Sequence, residues 1–149
     1  MTKIEVYTDG GARGNPGPAA IGFIIKKEGL IIYRHAEVIG HATNNTAEYT
    51  AVLKALTWLE NNPQLPITNP PAGRTDSQFT ITFYLDSLLV VQQLSGRFKI
   101  KNQNLKQLAW QIKRIESELK IKVVYQNIPR VLNKIADNLV NTALNASNY

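Results

Sequence analysis

No cysteine occurs anywhere in the chain, which excludes disulfides and thiolate metal centres together. Long apolar runs are missing as well, and nothing approaches the ~20 residues needed to cross a bilayer. The opening Met1-Thr2-Lys3-Ile4-Glu5-Val6 alternates polar and apolar residues at once, unlike the apolar block of a secretory signal. No segment repeats. These absences leave a cytoplasmic protein, with no membrane partner, as the expectation. Acidic residues are also scarce, 11 against 17 lysines and arginines, so the net charge is +6.

What is present is an ordinary globular composition. A content of 44% hydrophobic and 19% charged residues suits one folded domain spanning residues 1–149. The positive charge is concentrated. Arg97, Lys99, Lys101, Lys106, Lys113, Arg114, Lys120 and Lys122 face only Glu116 and Glu118, so residues 97–122 hold the entire net +6. A local basic excess suits a polyanion such as nucleic acid, and it also suits a solvated helix face.

Ile4, Val6 and Thr8 alternate with Lys3, Glu5 and Tyr7 as a strand, and the glycine- and proline-rich residues 10–18 read as a loop. Residues 20–27 and 30–39 are two further strands, joined by a tight turn at Glu28-Gly29. Over residues 46–61 the period changes, and Val52, Ala55, Leu56 and Leu59 form one helical stripe. Residues 61–77, with Pro63, Pro66, Pro70, Pro71 and Gly73, read as a long exposed loop. Phe79, Ile81, Phe83 and Leu85 mark a fourth strand, and a short helix follows over 88–94. A longer helix carries Leu105, Leu108, Ala109, Ile112, Ile115 and Leu119 on one face. A fifth strand over 120–128 and a last helix over about 133–145 complete the order βββαβααβα. That order predicts an α/β fold: a five-stranded mixed sheet, three strands antiparallel and two reached through helices, with helices packed on it.

Four acids occupy comparable places. Asp9 ends the first strand, Asp86 ends the fourth, Glu48 opens the first long helix and Asp137 opens the last. If the first and fourth strands are neighbours, their C-terminal ends unite Asp9 and Asp86. A carboxylate cluster without histidine or cysteine is the donor set of a hard cation such as Mg²⁺. Each acid also has a local explanation. Asn45-Thr46-Ala47-Glu48 fits a capping box. Asp86 fits a helix cap, Asp137 a helix N-terminus, and Asp9-Gly10-Gly11 a turn. The glycines do not build a phosphate loop, because Ala20 to Ile25 reads as strand where such a loop needs a helix; they suit close backbone approach to a ligand.

The motifs go further. Tyr7-Thr8-Asp9-Gly10-Gly11-Ala12-Arg13-Gly14-Asn15-Pro16-Gly17-Pro18 resembles the opening signature of type 1 ribonucleases H. Thr43-Asn44-Asn45-Thr46-Ala47-Glu48 resembles their second motif, and Tyr84-Leu85-Asp86-Ser87 their third. Residues 128–137, Ile-Pro-Arg-Val-Leu-Asn-Lys-Ile-Ala-Asp, resemble the fourth in its compact archaeal-like and plant-like form. The resemblance covers essentially the whole chain and implies a monomeric endonuclease that cuts the RNA strand of RNA–DNA hybrids. Two Mg²⁺ ions, or Mn²⁺ in their place, would be held by Asp9, Glu48, Asp86 and Asp137 as catalytic carboxylates. Gly10, Gly11, Ala12, Arg13, Asn15, Asn44 and Asn45 would track the minor groove, where 2′-hydroxyls mark RNA. Thr43 and Asn102 would grip a phosphate of the DNA strand, and Asn133 would stand near the scissile phosphate. Duplex RNA is a second substrate class that the resemblance leaves open.

Three departures from the family pattern stand out. The histidine that many bacterial members carry on the loop before the last acid is missing, and a shorter loop bears Arg130. The tryptophan-bearing basic protrusion is replaced by residues 95–101, Ser-Gly-Arg-Phe-Lys-Ile-Lys. His41 stands where an arginine often supports the DNA-phosphate pocket. A DNA resolvase or a 3′–5′ exonuclease is the rival enzyme, and the Thr-Asp-Gly-Gly and Thr-Asn-Asn contexts argue against it. A non-catalytic binding module is the other rival; its mark is loss of an acid, and none is lost here.

Overall fold

The computed structural model describes residues 2–62, 65, 79–119 and 121–147. Its elements are β1 (Thr2–Ala12), β2 (Gly17–Lys27), β3 (Leu30–Ala42), α1 (Asn44–Glu60), β4 (Phe79–Leu85), α2 (Leu88–Leu94), α3 (Gln103–Leu119), β5 (Lys122–Asn127) and α4 (Lys134–Ala146). A 3-10 turn at Arg130–Leu132, absent from the sequence-based order, precedes α4. No helix among the described residues is long and apolar enough to cross a membrane.

The five strands form one sheet in the order β3-β2-β1-β4-β5. β1, β2 and β3 pair antiparallel, whereas β4 pairs parallel to both β1 and β5. Parallel partners need crossovers, which α1 and the α2–α3 pair supply. Glu28 and Gly29, with φ of 52° and 81°, form the β2–β3 turn. Two consecutive left-handed residues give a two-residue hairpin the twist its strands need.

Strand alternation divides the chemistry between the two faces. Ile4 and Val6 of β1 and Ile81, Phe83 and Leu85 of β4 are buried in the core shared with α1 and α3. The anticipated α1 stripe, Val52, Ala55, Leu56 and Leu59, is buried there with Tyr49. On the opposite face α4 packs Val140 and Leu144 against Ala20 of β2. Residues 19–25 of β2 are therefore buried without alternation.

Two glycines set how closely the helices approach. A Cβ on Gly10 of β1 would lie 2.3 Å from the carbonyl carbon and oxygen of Ala47, so α1 rests directly on that strand. A Cβ on Gly22 of β2 would lie 2.7 Å from Leu139 Cβ and 2.8 Å from the Ala136 carbonyl oxygen, so α4 does the same from the other side.

The structure corrects several expectations. The loop expected over residues 10–18 is mostly strand, since Gly10, Gly11 and Ala12 pair with Ile21, Ala20 and Ala19. Only residues 13–16 turn, with Gly14 at φ 92°. Glycines that read as loop residues are instead strand residues lying under a helix. Helix α1 starts earlier than expected, capped by Thr43, whose Oγ1 accepts from the Thr46 amide at 3.1 Å. The capping box at Asn45 and Glu48 is thus not formed. The cap of α2 is Ser87 rather than Asp86. Leu65, placed by sequence in an exposed loop, is buried in the core; residues 63, 64 and 66–77 of that segment lie outside the described ones.

Candidate active site

Tyr7 and Tyr84 face each other in the β1–β4 register and stack with 4.8 Å between ring centroids. Side chains two residues on return to the same face. Asp9 and Asp86 therefore emerge side by side, just past the tyrosines. Glu48 reaches them from α1 because Gly10 lets that helix sit flush. Asp137 reaches them from the first turn of α4, held close by Gly22, the residue paired with Asp9 across the β1–β2 ladder.

Asp9, Glu48 and Asp86 each bring an oxygen to a group whose members all lie within 4.8 Å of one another. Asp137 lines the same cleft as Asp9 and Glu48, near enough for its charge to act on Asp9. The setting is dry: Asp9 is 4% exposed and Glu48 7%. Burial, then the adjacent charges of Asp86 and Asp137, push the Asp9 carboxyl up to about 7. Burial, then the charges of Asp9 and Asp86, hold Glu48 well above the usual carboxylate range, and Arg130 opposes the rise. The Glu48 Oε2 oxygen is buried with no hydrogen-bond partner. An orphaned oxygen among like charges is costly unless a cation completes it. The all-oxygen donors and the missing partner fit a hard divalent ion.

The candidate substrate residues divide into a cleft wall and its supports. Gly10, Gly11, Ala12, Arg13 and Asn44 line a cleft of about 230 Å³ together with Asp9, Glu48, Arg130 and Asp137. Asn44 Oδ1 accepts from the Ala12 amide, and Asn15 Oδ1 accepts from the Asn44 amide, both at 2.9 Å. These bonds tie the β1–β2 turn to the start of α1. Arg13 donates to Asn145 Oδ1 at 2.6 Å. Asn45 is half-buried in the first turn of α1. Asn102 accepts from the Leu105 amide at 3.1 Å, so Thr43 and Asn102 each stand at a helix N-terminus, where anions are favoured.

Asn133 differs from the expected substrate contact. Its side chain is 1% exposed, and its Nδ2 donates to the Thr8 carbonyl at 2.8 Å and to Asp86 Oδ2 at 3.3 Å. It braces Asp86 against β1. Arg130 is the reverse case, since sequence marked it only as occupant of a shortened loop and the structure sets it in the cleft wall. Its signal was slight: one cation soon after a strand.

The buried acids predict a pH dependence for the metal-free protein. The folded pKa of Asp9, about 7, lies above its unfolded value of 3.8. Between those values the folded state binds more protons than the unfolded one, so stability falls as pH rises through that window. Melting in chelator should therefore drop between about pH 4 and pH 7, and Glu48→Gln should flatten the drop. Equal slopes in wild type and variant would refute it.

A ribonuclease H family model matches residues 1–145. A bifunctional protein of Mycobacterium tuberculosis is 34% identical over 147 residues, which is 97% of this chain and 36% of the relative. The chain thus spans about a third of the length of the mycobacterial relatives it matches. Ribonuclease HI of Halobacterium salinarum is 32% identical over 144 residues, 95% of this chain and 64% of the relative. The solved structure of a ribonuclease H1 isolated from compost superposes with a TM-score of 0.84 at 39% identity, covering 99% of each chain. A structure of that compost protein in complex with RNA/DNA hybrid gives 0.81 at 37% identity, covering 97% of this chain and 98% of that one. Shared sheet topology and a family match running through every strand and helix that carries an acid lead to one conclusion: the chain belongs to the ribonuclease H family.

Proposed function

We propose that this chain hydrolyses the RNA strand of RNA–DNA hybrids, acting as a monomer in the cytoplasm. The observation that carries the reading is the cluster of Asp9, Glu48 and Asp86, with its orphaned Glu48 oxygen and with Asp137 in the adjoining cleft, in a ribonuclease H fold. Asp9, Glu48, Asp86 and Asp137 would hold two Mg²⁺ ions, or Mn²⁺ in their place. Bound ions would supply water activation and stabilisation of the leaving oxygen, giving 5′-phosphate and 3′-hydroxyl ends.

The chain's own residues supply position and selection. Asn133 fixes Asp86, and the Asn15–Asn44 ties fix the cleft wall where Gly10 to Arg13 would meet the minor groove. There the 2′-hydroxyls of the RNA strand are readable. Thr43 and Asn102 would hold the DNA strand by a phosphate. The test offers labelled hybrid, duplex RNA, duplex DNA and single strands with Mg²⁺ or Mn²⁺, followed by end mapping. Cleavage confined to the RNA strand of hybrid, with or without duplex RNA, supports the reading; cleavage of duplex DNA, or of nothing, ends it.

Arg97, Lys99 and Lys101 lie exposed between α2 and α3. Gln93 holds this segment, donating to the Lys99 carbonyl at 3.4 Å while accepting from Tyr49 at 2.6 Å. If the segment meets phosphates, Lys101→Ala should weaken hybrid binding irrespective of sequence. It should also lower the slope of log affinity against log salt by about 1. An unchanged slope would return the segment to a solvated surface.

A further inference from the structure

Helix α3 buries one face and leaves an unusual residue on the other. Leu105, Ala109, Ile112, Ile115 and Leu119 pack into the core, while Trp110 is 67% exposed. An exposed indole in apolar surroundings suggests a protein contact, but the surroundings here are cationic and amidic. Lys106 and Arg114 stand one turn before and after Trp110, the neighbours a helix brings together. The Arg114 guanidinium carbon lies over the ring, 5.8 Å from its centroid. Gln107 and Gln111 flank the indole and, with it, line an open hollow of about 400 Å³. Charge is only partly cancelled: Arg114 pairs with Glu118 at 3.4 Å, and Lys106 has no ion-pair partner among the described residues.

An exposed aromatic ring with one cation over it and another a turn away is an arrangement that takes unpaired bases, with phosphates on the cations and a base on the ring's other face. Glutamine amides offer both a donor and an acceptor, so they tolerate any base edge. Duplex bases are stacked on both faces and cannot use the ring, so the ligand is single-stranded. Direction comes from Asn102, which caps the same helix. Trp110 lies about 12 Å further along the axis at 1.5 Å per residue. A DNA strand held at Asn102 and leaving the hybrid would reach the indole within a few nucleotides.

We propose that the outer face of α3, centred on Trp110, binds single-stranded DNA continuing from the hybrid's DNA strand. The choice of DNA rests on the substrate reading above; the stacking platform does not.

Intrinsic fluorescence offers a direct test with oligothymidylate as the probe. The chain has two tryptophans, and Trp58 is stacked on Tyr33 at 4.5 Å, so Trp110 should dominate any quenching. Wild type should quench on titration, and Trp110→Phe should bind without that signal. Trp110→Ala should lose affinity for oligothymidylate by about tenfold, the range of one stacked base. Trp110→Ala should also lose the preference of wild type for hybrid with a single-stranded DNA flank over blunt hybrid. Its melting temperature and blunt-hybrid binding should match wild type. Oligothymidylate affinity unchanged in Trp110→Ala would overturn the proposal. So would equal losses on oligothymidylate and blunt hybrid, or a shift from dimer to monomer showing that the indole joins two copies. Hybrid cleavage by wild type is read in a separate arm, so failure of the catalytic reading leaves the oligothymidylate result standing.

Discussion

Asp9→Asn should abolish hybrid cleavage while raising the stability of the metal-free protein. The change keeps the side chain's volume and removes one charge from a group whose oxygens crowd within 4.8 Å. Asp9 is the proposed metal ligand that stands among the other acids, and an amide oxygen is a poor replacement for its carboxylate. Loss of ~4 kcal/mol of transition-state stabilisation corresponds to about a thousandfold in rate. Hybrid binding, assigned by the proposal to the cleft wall and the basic segment, should stay within about tenfold of wild type. The stability gain follows from the burial and like charges that hold Asp9 at about 7, a penalty fully present at pH 8 and relieved by the neutral amide. A purely structural Asp9 predicts both signs reversed, with activity kept and the fold weakened. Single-turnover cleavage and thermal melts in chelator decide, and a variant retaining more than a few per cent of activity would defeat the assignment.

Gly10→Ala and Gly11→Ala, one residue apart, should behave in opposite ways. At Gly10 the new methyl would meet the Ala47 carbonyl at 2.3 Å and the Glu48 amide nitrogen at 2.6 Å, all of it helix backbone that cannot rotate aside. Helix α1 must back away, at roughly 3 kcal/mol, the upper part of the range for overpacking. Glu48 moves with it, and a displacement of ~1 Å at a reacting centre can cost on the order of a hundredfold in rate. At Gly11 the nearest atom is Val140 Cγ1 at 3.8 Å, an ordinary contact. That variant should keep its stability within about 1 kcal/mol and change only substrate affinity. Urea melts and steady-state cleavage of both variants test the pair, and similar losses at the two positions would contradict the packing account.

The difference between those neighbours shows which parts of the site were legible in sequence. Periodicity set Asp9, Glu48 and Asp86 at strand ends and a helix start but left metal cluster and local caps both open; the resemblance to type 1 ribonucleases H chose the cluster, and the structure brings their oxygens together. The apolar stripe of α1 and the Glu28-Gly29 turn were legible because each is a local pattern. Gly10 was not. Its purpose depends on Ala47, and a glycine beneath a helix reads in sequence like a glycine in a loop. The brace that Asn133 forms was not legible because its partners, the Thr8 carbonyl and Asp86, are remote in sequence. Which residue caps α1 was missed because Thr43, Asn45 and Thr46 are all competent caps, and backbone geometry chose Thr43.

The place of β1 in the sheet also carries a kinetic consequence. On one side it pairs with β2, reached by a turn at residues 13–16; on the other it pairs with β4, where Thr2 lies opposite Phe79 and Tyr7 opposite Tyr84. Local pairs close early and distant parallel pairs close late, because the entropy of closing the long loop comes before any contact rewards it. During synthesis the β1–β2–β3 meander and α1 can assemble while the free edge of β1 still waits for β4. That edge is an open template for another chain until then. Asp86 and Asp137 arrive only with β4 and the last helix, so the nascent chain would expose a sticky edge well before it holds a complete cluster of acids.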